Sequence, residues 1–225
     1  MNKKQKNSFV LNCLIFVFTV FATVSMLIGF NFMSGEKVLS STSYKAFKYF
    51  TVDSNVIAGL VSLIYIIYLN RLSKEKIKKM PKWLTCLKLA STTGVTLTMM
   101  VTVFFLAPRT TTTYFAYFMN SNFFMHFLTP LLCIITFAFF EPAELSFKES
   151  FLGTIFMIMY AFYYIPNILL HLDNGKVLPA YDWYGFLFGG LHTIWFVIPL
   201  ILLITWLFAI CLWYINKSVE NSKTK

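Results

Sequence analysis

Residues 47–69 read FKYFTVDSNVIAGLVSLIYIIYL and join a polar segment to an apolar one. Residues 56–69 carry no charge, and with the residues before them they approach the about 20 residues that a helix needs to cross a bilayer. Thr51, Asp53 and Asn55 lie in the first turns of this helix. Polar side chains are costly at membrane depth and often mark functional sites. The stretch therefore predicts a membrane-spanning helix with a candidate site near its beginning.

The composition of the whole chain is that of an integral membrane protein. Of its 225 residues, 58% are hydrophobic and 12% are charged, and the mean hydropathy is +0.68. Apolar runs long enough to cross a bilayer occupy residues 9–32, 49–69, 84–107, 123–140, 151–170 and 191–215. No segment between them is long enough for a separate domain. Residues 1–225 are therefore expected to form one all-α, six-transmembrane-helix bundle.

The basic residues predict the orientation of this polytopic membrane protein. The third loop has only Arg109 and the fifth only Lys176, whereas the second loop is densely basic, with Arg71, Lys74, Lys76, Lys78, Lys79 and Lys82. Because Lys and Arg concentrate in cytoplasmic loops, an N-in/C-in topology is expected. The same rule accounts for the net charge of +10, so we expect membrane lipids and no nucleic acid as partners. The Lys/Phe/Ile/Asn-rich usage indicates an AT-rich bacterial genome, and hence a bacterial plasma membrane.

Polar residues gather at the outer ends of the predicted spans. Thr51 and Asn55 begin the second span, His126 begins the fourth, His171 ends the fifth and His192 begins the sixth. Positions three and four apart share a helix face, which predicts three stripes around one outer cavity: Thr51, Asn55, Gly59 and Ser62; His126, Thr129, Cys133 and Thr136 or Phe137; and Tyr160, Tyr164, Asn167 and His171.

Thr51 and His126 are the predicted reactive pair within this cavity. A threonine hydroxyl needs an adjacent base to become a nucleophile, and a neutral histidine can supply it. Asp53 lies about 200° around the helix from Thr51 and is expected to reach the surface or the first span. Pro130 removes a backbone donor and is expected to free the carbonyl of His126. The alternative interpretation is that these groups are helix caps and interhelical hydrogen bonds.

The fifth loop carries further candidate ligand-binding residues. Asp173 belongs to a turn, and Tyr181 belongs to an aromatic group suited to the headgroup level. The loop is either a gate over the outer cavity or an interfacial anchor. The full set of candidates for oxyanion or substrate contacts is Asn55, Ser54, Asn167, His171, Asp173, Tyr181 and His192. No Gly-rich phosphate loop and no metal-ligand spacing occurs, so neither a cofactor nor a metal is expected.

Three short motifs resemble the androgen-induced-gene family of six-helix membrane hydrolases, and especially its bacterial relatives. They are Phe50-Thr51-x-x-Ser54-Asn55, His126-x-x-x-Pro130, and Pro179-x-Tyr181 before the last span. The resemblance implies a threonine-type hydrolase of fatty acid esters of hydroxy fatty acids. In this sequence the nucleophile would be Thr51 and the base His126, and Asn55 is a candidate oxyanion donor.

Two other classes of function stay open at this point. One is a small-molecule transporter or channel with an outer polar vestibule. The inner halves of the predicted spans are almost uniformly apolar by this interpretation, which argues against a permeation path. The other is a non-catalytic membrane interaction protein. The leading hypothesis is an intramembrane lipid-ester hydrolase acting on a lipid-like small molecule.

Overall fold

A computed structural model describes residues 1–35, 42–109, 113–142, 144–187 and 189–222. It confirms the predicted all-α architecture, and its described residues form no β-strand. Helices long and apolar enough to cross a membrane form the first to sixth spans: Lys3–Ile28, Phe50–Ser73, Lys82–Arg109, Ser121–Phe140, Phe147–Leu169 and Leu191–Asn221. The chain is an integral multi-pass membrane protein.

The two terminal helices extend beyond the apolar runs that predicted them. The first span begins at Lys3, because Asn2 and Gln5 form a reciprocal capping box: Gln5 N donates to Asn2 Oδ1 at 2.8 Å and Asn2 N to Gln5 Oε1 at 3.0 Å. The sixth span runs on to Asn221. An ion pair between Lys4 and Glu220 joins these two polar extensions. Capping and pairing therefore continue both helices past the apolar segments.

The third span is the central helix of the bundle. In the most apolar part of this helix 67% of the residues are buried, whereas in that of the sixth span only 11% are buried. It contacts the second, fourth, fifth and sixth spans. Small and hydroxyl-bearing residues allow such close packing between membrane helices. Several of its threonine hydroxyls donate hydrogen bonds to carbonyls of the same helix. Thr93 donates to Leu89 O, and Thr96 donates to Thr92 O.

The first and second spans pack closely through Gly59. A Cβ added at Gly59 would lie 2.7 Å from Thr19 Cγ2 on the first span, so only glycine permits this approach. Gly59 belongs to the predicted stripe of Thr51, Asn55 and Ser62. One part of that stripe is therefore a helix-packing surface.

Candidate functional site

His126 pairs with a threonine of the third span. Its Nδ1 lies 2.7 Å from Thr102 Oγ1. The exposed fractions of the two residues are only 4% and 1%. The predicted stripe of His126, Thr129 and Cys133 is also buried. The bundle therefore contains a buried imidazole–hydroxyl contact, which is the kind of pair that activates a nucleophile or orients a base.

Both partners lie in wide helical turns. Thr102 begins a π-helical segment, Thr102–Leu106, and His126 lies in another, Phe124–Leu128. Such turns are rare and are frequent at functional sites. They shift the following side chains around the helix relative to a regular α-helix. The two irregular segments meet at the Thr102–His126 contact.

Asn55 satisfies a carbonyl next to His126. Thr129 N donates to the carbonyl of Phe124, so in this register residue 130 would donate to Met125. Pro130 has no N–H, and the side-chain amide of Asn55 donates to Met125 O at 2.9 Å instead. The carbonyl that Pro130 leaves without a donor is therefore that of Met125 and not, as predicted, that of His126. The difference of one residue arises because the π-helical turn shifts the hydrogen-bond register.

The same amide also holds the beginning of the second span. Asn55 Nδ2 donates to Thr51 O at 2.8 Å as well as to Met125 O. An amide nitrogen has two hydrogens, so both donors are occupied. An oxyanion role for Asn55 would require one of these bonds to break. Its Oδ1, in contrast, is buried without a hydrogen-bond partner among the described residues.

Thr51 lies beside this arrangement but does not share the hydrogen bond of His126. Its carbonyl and that of Met125 accept from one amide, which places Thr51 close to the residue preceding His126. Among the described hydrogen bonds, the imidazole contacts Thr102 and not Thr51. Thr51 is partly buried, whereas Ser54 is buried and donates to Thr51 O at 3.1 Å. Thr51 and His126, the predicted pair, are thus near each other but share no hydrogen bond among the described residues.

The fifth loop docks on the same end of the bundle through Asp182. Its carboxylate accepts hydrogen bonds from the Tyr164 hydroxyl and from the backbone N–H groups of Phe186 at 3.0 Å and Leu187 at 2.9 Å. Asp182 is buried. This carboxylate therefore ties the loop to the fifth span as a structural anchor.

Two aromatic hydroxyls then connect the loop to the beginning of the second span. Tyr184 Oη accepts from Phe50 N at 2.8 Å, and Tyr160 Oη donates to Lys48 O at 2.6 Å while accepting from Trp183 Nε1 at 2.9 Å. Burial raises the pKa of the Tyr184 phenol above its ordinary value, so the hydroxyl stays protonated. The loop thus caps a helix end whose first N–H groups lack partners within the helix.

Three other predicted ligand-binding residues, His171, Asp173 and His192, are exposed rather than buried. His171 is exposed, contacts Asn167 O through Nδ1 at 2.7 Å and stacks on Tyr181 with the ring centroids 3.9 Å apart. Asp173 is an exposed turn residue, and His192 is exposed at the beginning of the sixth span. Of the three histidines only His126 is buried. The three histidines therefore differ in burial: His126 belongs to the interior of the bundle, whereas His171 and His192 lie at its surface.

The opposite end of the bundle contradicts the expectation of uniformly apolar halves. Lys88 and Glu141 are buried there, with Nζ 3.4 Å from Oε1. Lys88 Nζ also donates to Asn12 Oδ1 at 2.8 Å and Ser62 Oγ at 3.1 Å. Each of these residues has apolar neighbours in the sequence. The fold brings Lys88 of the third span next to Glu141, which follows the fourth span. A lysine within an apolar run is the signal that could have revealed this pair.

Several buried polar atoms in and around these two clusters have no hydrogen-bond partner among the described residues. They include Asn55 Oδ1, Thr129 Oγ1, Thr92 Oγ1 and Glu141 Oε2. Buried polar groups are nearly always hydrogen-bonded, and ordered water or a ligand often completes them.

Comparison with known protein families, curated proteins and solved structures finds no match to this chain.

Proposed function

We propose that this protein is an intramembrane lipid-ester hydrolase in which His126 is the general base. The observation that carries the proposal is the buried Thr102–His126 contact of 2.7 Å beside the beginning of the second span. With the expected orientation, this end of the bundle faces the outer leaflet of a bacterial plasma membrane. A lipid ester would enter from that leaflet, and fatty acid esters of hydroxy fatty acids are the class that the resemblance suggests.

Thr51 is the proposed nucleophile and Thr102 the positioning residue. A nucleophile must reach the ester carbonyl, and Thr51 is partly buried whereas Thr102 is 1% exposed. If Thr102 Oγ1 accepts from Nδ1–H, the other ring nitrogen of His126 is left with the lone pair of a base. Substrate binding would bring Thr51 within reach, since catalytic hydrogen bonds often tighten only in the complex.

The reaction then proceeds in two balanced steps. Thr51 Oγ1 forms a bond to the ester carbonyl carbon as its proton passes to His126, and the alcohol leaves with that proton. Water next attacks the acyl-threonine, again giving a proton to His126, which returns it to Thr51 as the fatty acid is released. This is the acyl-transfer scheme of nucleophile–base pairs.

Thr102 is the second candidate nucleophile, because it is the hydroxyl in contact with the imidazole. If Thr102 donates to Nδ1, His126 would activate Thr102 directly. Treatment of the purified protein with a fluorophosphonate, followed by peptide mass spectrometry, distinguishes the two. We expect modification at Thr51; modification at Thr102 alone would reverse the two roles.

Variants test the enzyme itself. Thr51→Val and His126→Gln should abolish both modification and hydrolysis of a lipid ester. Thr98→Val is the matched control, since Thr98 is a buried threonine of the third span whose hydroxyl, within the described part of the chain, bonds only to Val95 O in the same helix. Full activity in a folded Thr51→Val, Thr102→Val double variant would refute a threonine-type hydrolase.

A second candidate function is transport of a proton or small solute. The buried Lys88–Glu141 pair favours it, because intramembrane charges often mark ion or proton paths. Flux into liposomes, measured with a pH-sensitive dye, tests this function. A flux lost in Glu141→Gln but retained in Thr51→Val would support transport over hydrolysis.

A further inference from the structure

A groove between the second and fifth spans lies apart from the Thr102–His126 contact. Its volume is about 340 Å³, and its lining residues include neither Thr51 nor His126. Ligand pockets in proteins commonly measure about 300–1,000 Å³. The groove lies beside lipid, because Met159 in its wall is 61% exposed. It is therefore large enough and accessible enough to receive part of a membrane-dissolved molecule.

Asp53 places a carboxylate in the wall of this groove. The residue is partly buried, and it makes no hydrogen bond or ion pair with another described residue. Of the two expected positions of Asp53, the surface or the first span, the structure does not show the contact with the first span, because Asp53 lines the groove with residues of the fifth span and is only partly buried. Among the described residues Lys48 forms no ion pair with Asp53; its ammonium lies over the rings of Tyr49 and Trp183, at 5.1 and 5.3 Å from their centroids. A carboxylate left without a partner at this depth calls for a cationic one.

Aromatic rings surround the same part of the groove. Phe47, Phe50, Tyr160 and Tyr163 line it together with Asp53. The rings of Phe50 and Tyr160 meet edge to face, with centroids 5.2 Å apart. Aromatic faces combined with a carboxylate are the usual surroundings of a bound ammonium group. The chemistry of this part of the wall is therefore complementary to an organic cation.

The deeper part of the groove is apolar. Val56 and Ile57 follow Asp53 along the second span, while Phe156 and Met159 precede Tyr160 along the antiparallel fifth span. At 1.5 Å per residue, Ile57 lies about 6 Å deeper than Asp53. The charged end of the groove is thus nearer the membrane surface, which matches the orientation of a lipid with its head outward.

We propose that this groove binds a single-chain lipid with an ammonium head. Asp53 and the surrounding rings hold the ammonium group, and the alkyl chain lies along Ile57 and Met159. The site is independent of ester hydrolysis, because its lining contains neither member of the proposed nucleophile–base pair. Binding is expected whether or not the protein is an enzyme.

Photo-crosslinking of the full chain tests the proposal. The protein is placed in phosphatidylglycerol nanodiscs, which contain no ammonium lipid, and labelled with a diazirine-bearing dodecylammonium probe. Saturable labelling is expected on groove residues. In Asp53→Asn it should fall about tenfold, as when one charge-stabilised contact is removed. An uncharged dodecanol probe of the same length should label wild type as weakly as the ammonium probe labels Asp53→Asn.

Two controls make the result decisive. Asp173→Asn removes an exposed carboxylate outside the groove and should leave labelling unchanged. Met159→Trp fills the groove while keeping Asp53, and it should abolish labelling even if Asp53→Asn fails to fold. Equal labelling of wild type and Met159→Trp would overturn the proposal. Competition by choline as effective as that by unlabelled dodecylammonium would overturn the lipid assignment, because it would show that the chain contributes nothing.

Discussion

The side-chain amide of Asn55 donates to the carbonyl oxygen of Met125 at 2.9 Å, where Pro130 supplies no N–H in the helix register observed. The Asn55 side chain of the second span thus supplies the hydrogen-bond donor that Pro130 of the fourth span lacks. The contact also determines how closely the beginning of the second span approaches His126.

This relationship predicts coupling between Asn55 and Pro130. Asn55→Leu should lower the free energy of unfolding by about 1–3 kcal/mol, since it leaves a buried carbonyl without a donor. In a Pro130→Ala background the loss should be smaller, because the substituted alanine provides the missing N–H. A double-mutant cycle by thermal unfolding in detergent measures the difference. Identical losses in both backgrounds would show that Pro130 does not create the need for Asn55.

The buried pair of Lys88 and Glu141 predicts a large asymmetry between single and double variants. Lys88→Met should cost about 3–5 kcal/mol, because it leaves a buried carboxylate uncompensated, and Lys88→Met with Glu141→Leu should recover much of that loss. Lys82→Met is the matched control on the same span: Lys82 pairs with Glu149 at 2.6 Å, but its side chain is 58% exposed. Breaking such an exposed pair should cost far less, because water screens the two charges. Equal losses for the two lysines would contradict a special role for burial.

The docking of the fifth loop predicts local protection of the second span. Tyr184→Phe removes the acceptor for Phe50 N, so hydrogen exchange at that amide should accelerate by about tenfold, equivalent to one net hydrogen bond. Tyr181→Phe is the control, because Tyr181 stacks on His171 by its ring. Hydrogen-exchange mass spectrometry of the 47–56 segment provides the measurement. Unchanged exchange in Tyr184→Phe would mean that the loop does not hold this helix end.

The contact between Thr102 and His126 predicts a positioning effect on hydrolysis. Thr102→Val should lower kcat by about tenfold to a hundredfold, as expected when a base loses its orientation. Thr102→Ser keeps the hydroxyl and should restore most of the activity. The acidic limb of the kcat–pH profile should also shift in Thr102→Val. A loss of activity that serine does not restore and that leaves the pH profile unchanged would indicate a packing role alone.

The six spans were predictable because hydropathy acts over whole segments. Predicted and observed ends agree within a few residues except where polar extensions continue the first and sixth helices. Capping by Asn2 and pairing of Lys4 with Glu220 depend on single contacts, to which an average over apolar residues is insensitive.

The partner of His126 was not predictable in the same way. Helical spacing assumes 3.6 residues per turn, whereas Thr102 and His126 both lie in π-helical segments. Spacing also relates residues of one helix and does not identify contacts between helices. Thr51 was therefore favoured by its motif, and Thr102 emerged only from the packing of the third span against the fourth.

Lys88 also constrains how the protein is made. The ammonium enters the bilayer with the third span, while its carboxylate partner, Glu141, follows the fourth span later in the chain. A lysine at the centre of a solitary helix costs about 2.5–3.5 kcal/mol during insertion by the translocon, and Lys88, which lies nearer the beginning of the third span, bears part of that cost. The third span should therefore remain beside the translocon until the fourth span arrives, and the two should enter the lipid as a hairpin.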